Sequence, residues 1–452
     1  MTKRVKVKVK AQDLTPEERL KDALVPESEQ PYEVPENWFF FYFTSLIDVQ
    51  GGTQPPKSTF IDVPKTGYIR LVQIRDFASD KYAVYIPDKK HLRKFCETDV
   101  MIARYGASLG RICRGLSGAY NVALTKTIYD IRIIDSNCLF WLLQSECFQT
   151  PLTELSRTAQ VGFNKEDLSH FALPLPPLPE QKRIVARIES LFEKLDHARE
   201  LMQSALDSFE TRKAAILHKA FTGELTAKWR AEHGVGTDSW EKKPLKECCK
   251  ISSGGTPSRT NPQYYIGTIP WIKTGEINWG YIFDSEEKIT DDAIKNSSAK
   301  IFQKGTVLVA MYGQGLTRGR AAILDIEATT NQAVCALLTK PELNNKFLYY
   351  YFMCNYWELR EKAVGGNQPN FSGTMIGTFT INLPCLHEQQ EIVRTLDNLF
   401  EKEQAAKEKL EPLLTQIDLM KKSILARAFR GELGTNDPGE ESAVELLKEI
   451  LS

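Results

Sequence analysis

The chain states most of its pattern twice, and the two statements stand at a fixed distance. PEQKRIVARIESLFEKLDHARELMQSALDSFETRKAAILHKAFTGEL, residues 179–225, returns without a gap as HEQQEIVRTLDNLFEKEQAAKEKLEPLLTQIDLMKKSILARAFRGEL, residues 387–433. About 19 of the 47 aligned positions are identical. A fixed period is the mark of a repeat architecture. Here the period is about 200 residues, so the repeated unit is a whole domain plus a helix. Two similar modules on one chain point to a ligand with two similar sites.

Both copies read as long amphipathic helices. Ile184, Ile188, Leu191, Leu195, Ala198, Met202, Ala205, Phe209 and Ile216 follow a 3-4 alternation. Ile392, Leu396, Leu399, Ala406, Leu410, Leu413, Ile417, Met420 and Ile424 keep the same register. A seam this narrow, with charged flanks, is the pattern of a coiled coil rather than of a helix lying on a globular core. Each helix is expected to pair with its twin, since an intramolecular partner is present at high effective concentration. About 45 helical residues at ~1.5 Å each make a rod of roughly 65 Å. Glu403 breaks the seam where its mate is Leu195, and Pro412 is expected to kink the second helix.

The stretches before each helix match more loosely. Trp38 pairs with Trp240, Gly51-Gly52-Thr53 with Gly254-Gly255-Thr256, and Tyr105-Gly106 with Tyr312-Gly313. Gly110-Arg111 pairs with Gly319-Arg320, Asn121 with Asn331, and Phe163 with Phe371. The offset drifts, as loop insertions would make it do. A shared skeleton with different intervening loops suits two related binding modules with different ligands. Short β-rich runs such as 68–72, 83–86, 307–310 and 321–324 lie between turns, and helical segments follow at 138–149 and 345–359. The fold class expected is α+β, two globular domains alternating with two long helices that pair antiparallel. The boundaries expected are an N-terminal extension 1–36, a first domain 37–178, a helix 179–225 and a linker 226–239. A second domain 240–386, a helix 387–433 and a tail 434–452 complete the map.

Composition fits a folded two-domain protein, at 452 residues with 42% apolar and 26% charged residues. No apolar run reaches the length a membrane helix needs, and the basic start MTKRVKVKVK lacks a signal peptide's apolar stretch. Nine cysteines form no CxxC pair, which reads as a reducing cytoplasm. Formal net charge is zero, with 58 basic and 58 acidic residues. A nucleic-acid binder is often basic, so any such role must rest on local clusters.

At this point a resemblance carries further. Leu175-Pro176-Pro177-Leu178-Pro179-Glu180-Gln181 with Ala220-Phe221-Thr222-Gly223-Glu224-Leu225, and their second copies at 383–389 and 428–433, resemble the conserved regions of the DNA-specificity subunit of type I restriction-modification systems. The Gly-Gly-Thr and Tyr-Gly turns are similar to those of its target-recognition domains, and the likeness covers nearly the whole chain. Cys385-Leu386-His387 departs from the pattern by losing two prolines, which puts the stiffness of the second joint in question. The resemblance implies a non-catalytic subunit that reads a split double-stranded DNA target, one half per domain. It implies that the helices hold the halves apart and bind two modification (methyltransferase) subunits, and that restriction (motor and nuclease) subunits then join.

The search for chemistry finds no phosphate-binding GxxxxGKS or GxxxxGKT, no HExxH and no GxSxG. Asn261-Pro262-Gln263-Tyr264 approaches the N-P-P-Y of adenine methyltransferases, but its third residue differs and no glycine-rich cofactor loop precedes it, so a turn is expected. The six histidines form no ligand cluster, and neither metal nor cofactor is expected. DNA contacts then fall to polar and basic loop residues, since Arg reads guanine and Asn or Gln reads adenine, while Lys, Arg and hydroxyls hold phosphates. The first domain offers Lys57, Ser58, Gln73, Arg75, Arg104, Arg111 and Asn121. The second offers Ser258, Arg259, Lys273, Thr274, Gln314, Arg318, Arg320, Asn331, Asn367 and Gln368. Those beside glycine are favoured, because glycine lets a backbone approach DNA. The alternatives are a self-sufficient DNA methyltransferase, which would bind S-adenosylmethionine tightly by itself, and a coiled-coil scaffold, which would ignore DNA.

Overall fold

The computed structural model describes residues 15–157, 162–313, 315–362 and 370–451. Contacts divide the chain into two units, residues 1–202 with 412–452, and residues 203–411. This differs from the linear map above. The last part of the second long helix and the tail fold with the first domain, and the last part of the first long helix folds with the second.

In the first unit, Phe39–Tyr42 pairs antiparallel with Ala172–Leu175, so the domain closes on itself just before its helix. A four-stranded sheet runs Ile47–Gly51, Leu124–Tyr129, Met101–Ala103, Ile112–Cys113. A second runs Tyr85–Pro87, Tyr68–Val72, Gly118–Tyr120, Lys94–Phe95, with 68–72 and 118–120 parallel. The second unit repeats the scheme. Glu241–Pro244 pairs with Thr380–Leu383. The larger sheet runs Cys249–Ser253, Val334–Thr339, Val307–Ala310, Ala321–Leu324, Tyr281–Ile282. The smaller runs Glu287–Ile289, Ile269–Ile272, Thr329–Thr330, with the last two again parallel. The strands that matched in sequence therefore occupy matching places, and the differences fall at the sheet edges.

The long helices are Leu178–Phe221 and Leu386–Ala428. Within the first unit, Asp196 meets Lys421 at 2.5 Å, and Arg199 meets Asp418. Within the second, Arg212 Nε donates to Glu403 Oε1 at 3.0 Å, and Lys213 lies over the Phe400 ring at 5.7 Å. One number rises as the other falls, so the pairing is antiparallel in each unit. Glu403 thus enters the seam with a partner, and Arg212 also covers the Phe209 ring at 4.5 Å. The second helix continues through Pro412, whose missing N–H withdraws one ladder bond.

Ile184, Ile188, Phe209, Ile392, Leu396 and Ile417 of the seam are buried. Leu191, Leu195, Met202, Ile216, Leu399, Leu410, Leu413 and Ile424 are half-buried. Met420 is a correction, since half of it is exposed, and burial moves to Leu425 and Ala428. Likewise Leu217 and Ala220 are more buried than Ile216. At their C-terminal ends the helices lie on globular cores, Ile424, Leu425, Ala428 and Phe429 in one unit and Ile216, Leu217, Ala220 and Phe221 in the other. A helix on a core needs a wider apolar face than a two-stranded seam.

Both helix starts are fastened alike. Glu180 and Glu388 are wholly buried, and each accepts from an indole, Trp38 Nε1 at 2.7 Å and Trp240 Nε1 at 2.9 Å. Gln181 Oε1 accepts from Asp135 N, while its Nε2 donates to the Ile133 and Pro176 carbonyls. Gln389 repeats this with Asn344 N and the Glu342 and Pro384 carbonyls. Asp135 and Asn344 in turn cap the helices Ser136–Leu142 and Asn345–Cys354. The Glu-Gln pair is a clasp between domain and helix, and the second joint keeps it without the two prolines.

The extension and the tail are structured where described. Pro16–Ala23 is a helix opened by a Thr15–Glu18 capping box, and Val25 N donates to Phe40 O at 2.9 Å. The tail helix Ala443–Leu451 buries Ala443 and Leu447 in the first unit's core.

Candidate nucleic-acid interface

The candidate residues gather where parallel strands end. In the first unit Gln73 follows Tyr68–Val72 and Asn121 follows Gly118–Tyr120, with Asn121 N donating to Val72 O. Arg104 follows Met101–Ala103, and its N donates to Ala123 O at 2.8 Å. In the second unit Lys273 and Thr274 follow Ile269–Ile272, and Asn331 follows Thr329–Thr330 and donates its N to Ile272 O. Met311 N then donates to Ala333 O, which brings in the 312–320 loop. The same three strand ends thus converge in each domain.

Several of these side chains already have work to do. Asn121 Oδ1 accepts from Ala123 N and Asn331 Oδ1 from Ala333 N, so both asparagines build Asx-type turns. Thr274 Oγ1 lies 3.4 Å from Asn331 Oδ1. Gln73 N donates to Asp76 Oδ2, which fixes the turn carrying Arg75, and Arg75 lies over the Tyr82 ring at 5.4 Å. Arg104 Nε donates to Phe163 O at 2.6 Å and its guanidinium covers Tyr105. Arg259 pairs with Glu287 at 2.6 Å and lies over Tyr265 and Trp271. Lys273 reaches Glu286 at 2.9 Å and Glu287 at 3.1 Å. The hydrogen bond from Arg259 holds the Glu287 carboxyl below its usual range, and the one to Glu286 raises Lys273. Exposed pairs like these contribute at most about 1 kcal/mol, so a phosphate can compete for the cations.

Lys57, Ser58 and Arg111 are exposed, and their side chains have no partner among the described residues. Ser258 is exposed, with its hydroxyl 2.8 Å from that of Thr260. Gln314, Asn367 and Gln368 lie outside the described residues. The Asn261–Tyr264 motif is a turn, with Asn261 Oδ1 accepting from Gln263 N.

Three of the loop glycines are packed closely against the protein itself. A Cβ on Gly52 would lie 2.1 Å from Asn121 O, one on Gly254 1.9 Å from Thr330 O, and one on Gly255 2.2 Å from Ser298 Oγ. Gly52 and Gly254 let the backbone approach the strand ends at Asn121 and Thr330, and Gly255 lets it approach Ser298. Their packing orders these loops.

Arg318 and Arg320 sit on the hairpin loop between Val307–Ala310 and Ala321–Leu324. Arg320 Nη1 donates to Asn278 Oδ1 at 2.6 Å. Arg318 lies over the Phe371 ring at 5.9 Å, and its Nε is buried without a hydrogen-bond partner among the described residues. Burial, and then the nearby Arg360 charge, pull the Arg318 pKa down. Arg360 holds this loop by donating to the Arg318 and Gly315 carbonyls. Sequence reasoning missed Arg360, because a helical arginine 42 residues away gives no local sign of the loop it ties.

Comparisons with known proteins agree with this architecture. The family model for the type I restriction modification DNA specificity domain matches twice, at residues 35–203 and 237–414. The MjaVIII specificity subunit of Methanocaldococcus jannaschii is 26% identical over 418 residues, covering 88% of this chain and 94% of that one. The EcoKI specificity subunit of Escherichia coli K12 is 24% identical, covering 92% and 96%. Among solved structures, a chain from work on assembly and conformational transition of the type I R-M system superposes with a TM-score of 0.67 at 20% identity, over 89% of this chain and all of that one. The HsdS subunit of Thermoanaerobacter tengcongensis gives a TM-score of 0.62 at 20% identity, over 90% and 100%. These structures share the fold. With its specificity domain matched twice across most of its length, the chain belongs to the type I restriction modification DNA specificity family.

Proposed function

We propose that this chain is the sequence-reading subunit of a type I restriction-modification complex, acting in the cytoplasm and itself non-catalytic. Each recognition domain reads one half of a bipartite duplex target. The paired helices set the gap and dock two modification subunits, and restriction subunits complete the assembly. One observation carries this reading: the same strand ends converge in both domains, but with different side chains on them. Asn121 and Asn331 keep the turn, while Gln73 is replaced by Lys273 and Arg111 faces a different neighbourhood from Arg320. Equal skeletons with unequal contact residues suit unequal half-sites.

The test is an exchange. Replacing residues 240–380 with the matching domain of another specificity subunit should change one half of the methylated motif recovered from cells. A change in both halves would end the modular reading. The loop carries a second expectation. Arg318→Ala or Arg320→Ala should cost about 1–3 kcal/mol of specific binding if the arginine reads a base, or weaken all sequences alike if it holds a phosphate. Duplex affinity unchanged in both variants at fixed salt would remove this loop from the interface.

A further inference from the structure

The second unit contains a cleft of about 370 Å³ beside the loop that carries Arg320. One wall is the latter half of the first long helix, with Glu210 and Lys213, and the other carries Trp279, Arg320, Tyr356 and Trp357. Small-ligand sites occupy roughly 300–1,000 Å³.

Trp279 has φ +52°, and among the described residues it is the one non-glycine in that region. For a bulky side chain this conformation is strained, and such strain persists only where the surroundings impose it. Here Gly280 N donates to Tyr349 Oη at 2.8 Å, and Arg320 holds Asn278 from the other side. The Trp279 indole is thereby set edge-on to Tyr356 at 5.5 Å. Trp357 packs on the same Tyr356 ring at 5.0 Å and is nevertheless 62% exposed. Arg320 spends only Nη1 on Asn278, and Glu210 has no partner among the described residues.

The first unit does not repeat this wall. The position matching Lys213 is Lys421, which is paired with Asp196. The cleft is therefore no requirement of the shared scaffold.

We propose that this cleft binds a single nucleotide with an amino-bearing base. The base lies against the indole rings, its exocyclic amino group donates to Glu210, and its phosphate meets Lys213 and Arg320. Aromatic faces take any base by stacking. An apolar side chain would fill the same space but would desolvate the Lys213 ammonium and the Glu210 carboxylate without a hydrogen-bond partner for either. The nucleotide has two possible sources, a free mononucleotide or an unstacked residue of a DNA strand.

The probe is adenosine 5′-monophosphate, titrated into the full chain by calorimetry and tryptophan emission. The expected result is saturable binding at one site. Trp357→Ala should weaken it at least about fivefold. Lys213→Gln should weaken the monophosphate but not adenosine. Trp357 is exposed and Lys213 is half-buried, and Lys213→Gln keeps most of the aliphatic stem, so folding should survive. A second arm compares a paired duplex with one carrying a single unpaired deoxyadenosine. Tighter binding to the unpaired form, lost in Trp357→Ala, assigns the DNA strand as source; monophosphate binding with no such gain assigns the free nucleotide. The first arm contains no duplex, so its failure leaves the half-site reading standing. No saturable binding, or equal constants in wild type and both variants, would overturn the proposal.

Discussion

Glu388→Ala should destabilise the second unit by about 3–5 kcal/mol, the usual cost of removing one partner of a buried ion pair. Glu388 has no exposed surface, and Arg230 is almost as deeply buried. Arg230 Nη1 donates to Glu388 Oε1 at 2.6 Å, Thr226 Oγ1 donates to the same oxygen at 2.8 Å, and Trp240 Nε1 takes Oε2. Removing the carboxylate leaves the buried Arg230 charge without its counter-ion, with only Thr226 Oγ1 and the Gly223 carbonyl among the described residues to donate to. It also leaves the Thr226 hydroxyl and the Trp240 indole N–H without their acceptor. The matching Glu180→Ala in the first unit should cost less, about 1–3 kcal/mol. Its donors, Trp38, Thr435 and Asn436, are all neutral. Denaturant unfolding of both variants checks the order. A control replaces Arg230 and Glu388 together with apolar residues of similar volume, which should recover much of the loss. If Glu388→Ala costs less than about 1 kcal/mol, the clasp is not what holds this end of the helix.

The sequence made the clasp visible as a repeated Glu-Gln without revealing its purpose. Periodicity told helix from strand, and the constant offset told repeat from accident. Neither could show that Glu180 and Glu388 point inward, because acids in a first helical turn are usually explained by the helix dipole. The loops at the strand ends were legible as segments, since glycines and polar residues mark them. The role of each side chain was not legible. Asn121 and Asn331 resemble base readers in a list of residues, and only the backbone shows them closing turns on Ala123 and Ala333. Gly52 and Gly254 likewise signal close approach in the sequence, but not what approaches. Long-range ties such as Arg360 to the 315–318 backbone leave no periodic trace at all. The seam departs from the pattern near Met420 and Ile216, where helix on helix gives way to helix on core and the apolar face widens.

The tail is where the linear reading and the fold differ most, and it supplies the other large effect. Ending the chain after Leu433 should destabilise the first unit by more than about 3 kcal/mol. Burying a leucine such as Leu447 contributes roughly 1.5–3 kcal/mol, and Leu447 is fully buried in the first unit's core. The same cut removes two of the three donors to Glu180. It also strips Arg183 of Glu440, which it grips through both guanidinium ends at 2.7 and 2.8 Å, and of the Thr435 carbonyl. Asn37 loses its bonds to Asn436 and Asp437, so the entry to the first domain is freed as well. In the second unit the corresponding contacts come from residues 226–230, between the first helix and Trp240, and the cut leaves them in place. Hydrogen exchange should therefore lose protection in the sheet containing Leu124–Tyr129 while Val334–Thr339 keeps it. Equal protection of both sheets in the truncated and full chains would show that the tail is an appendage after all.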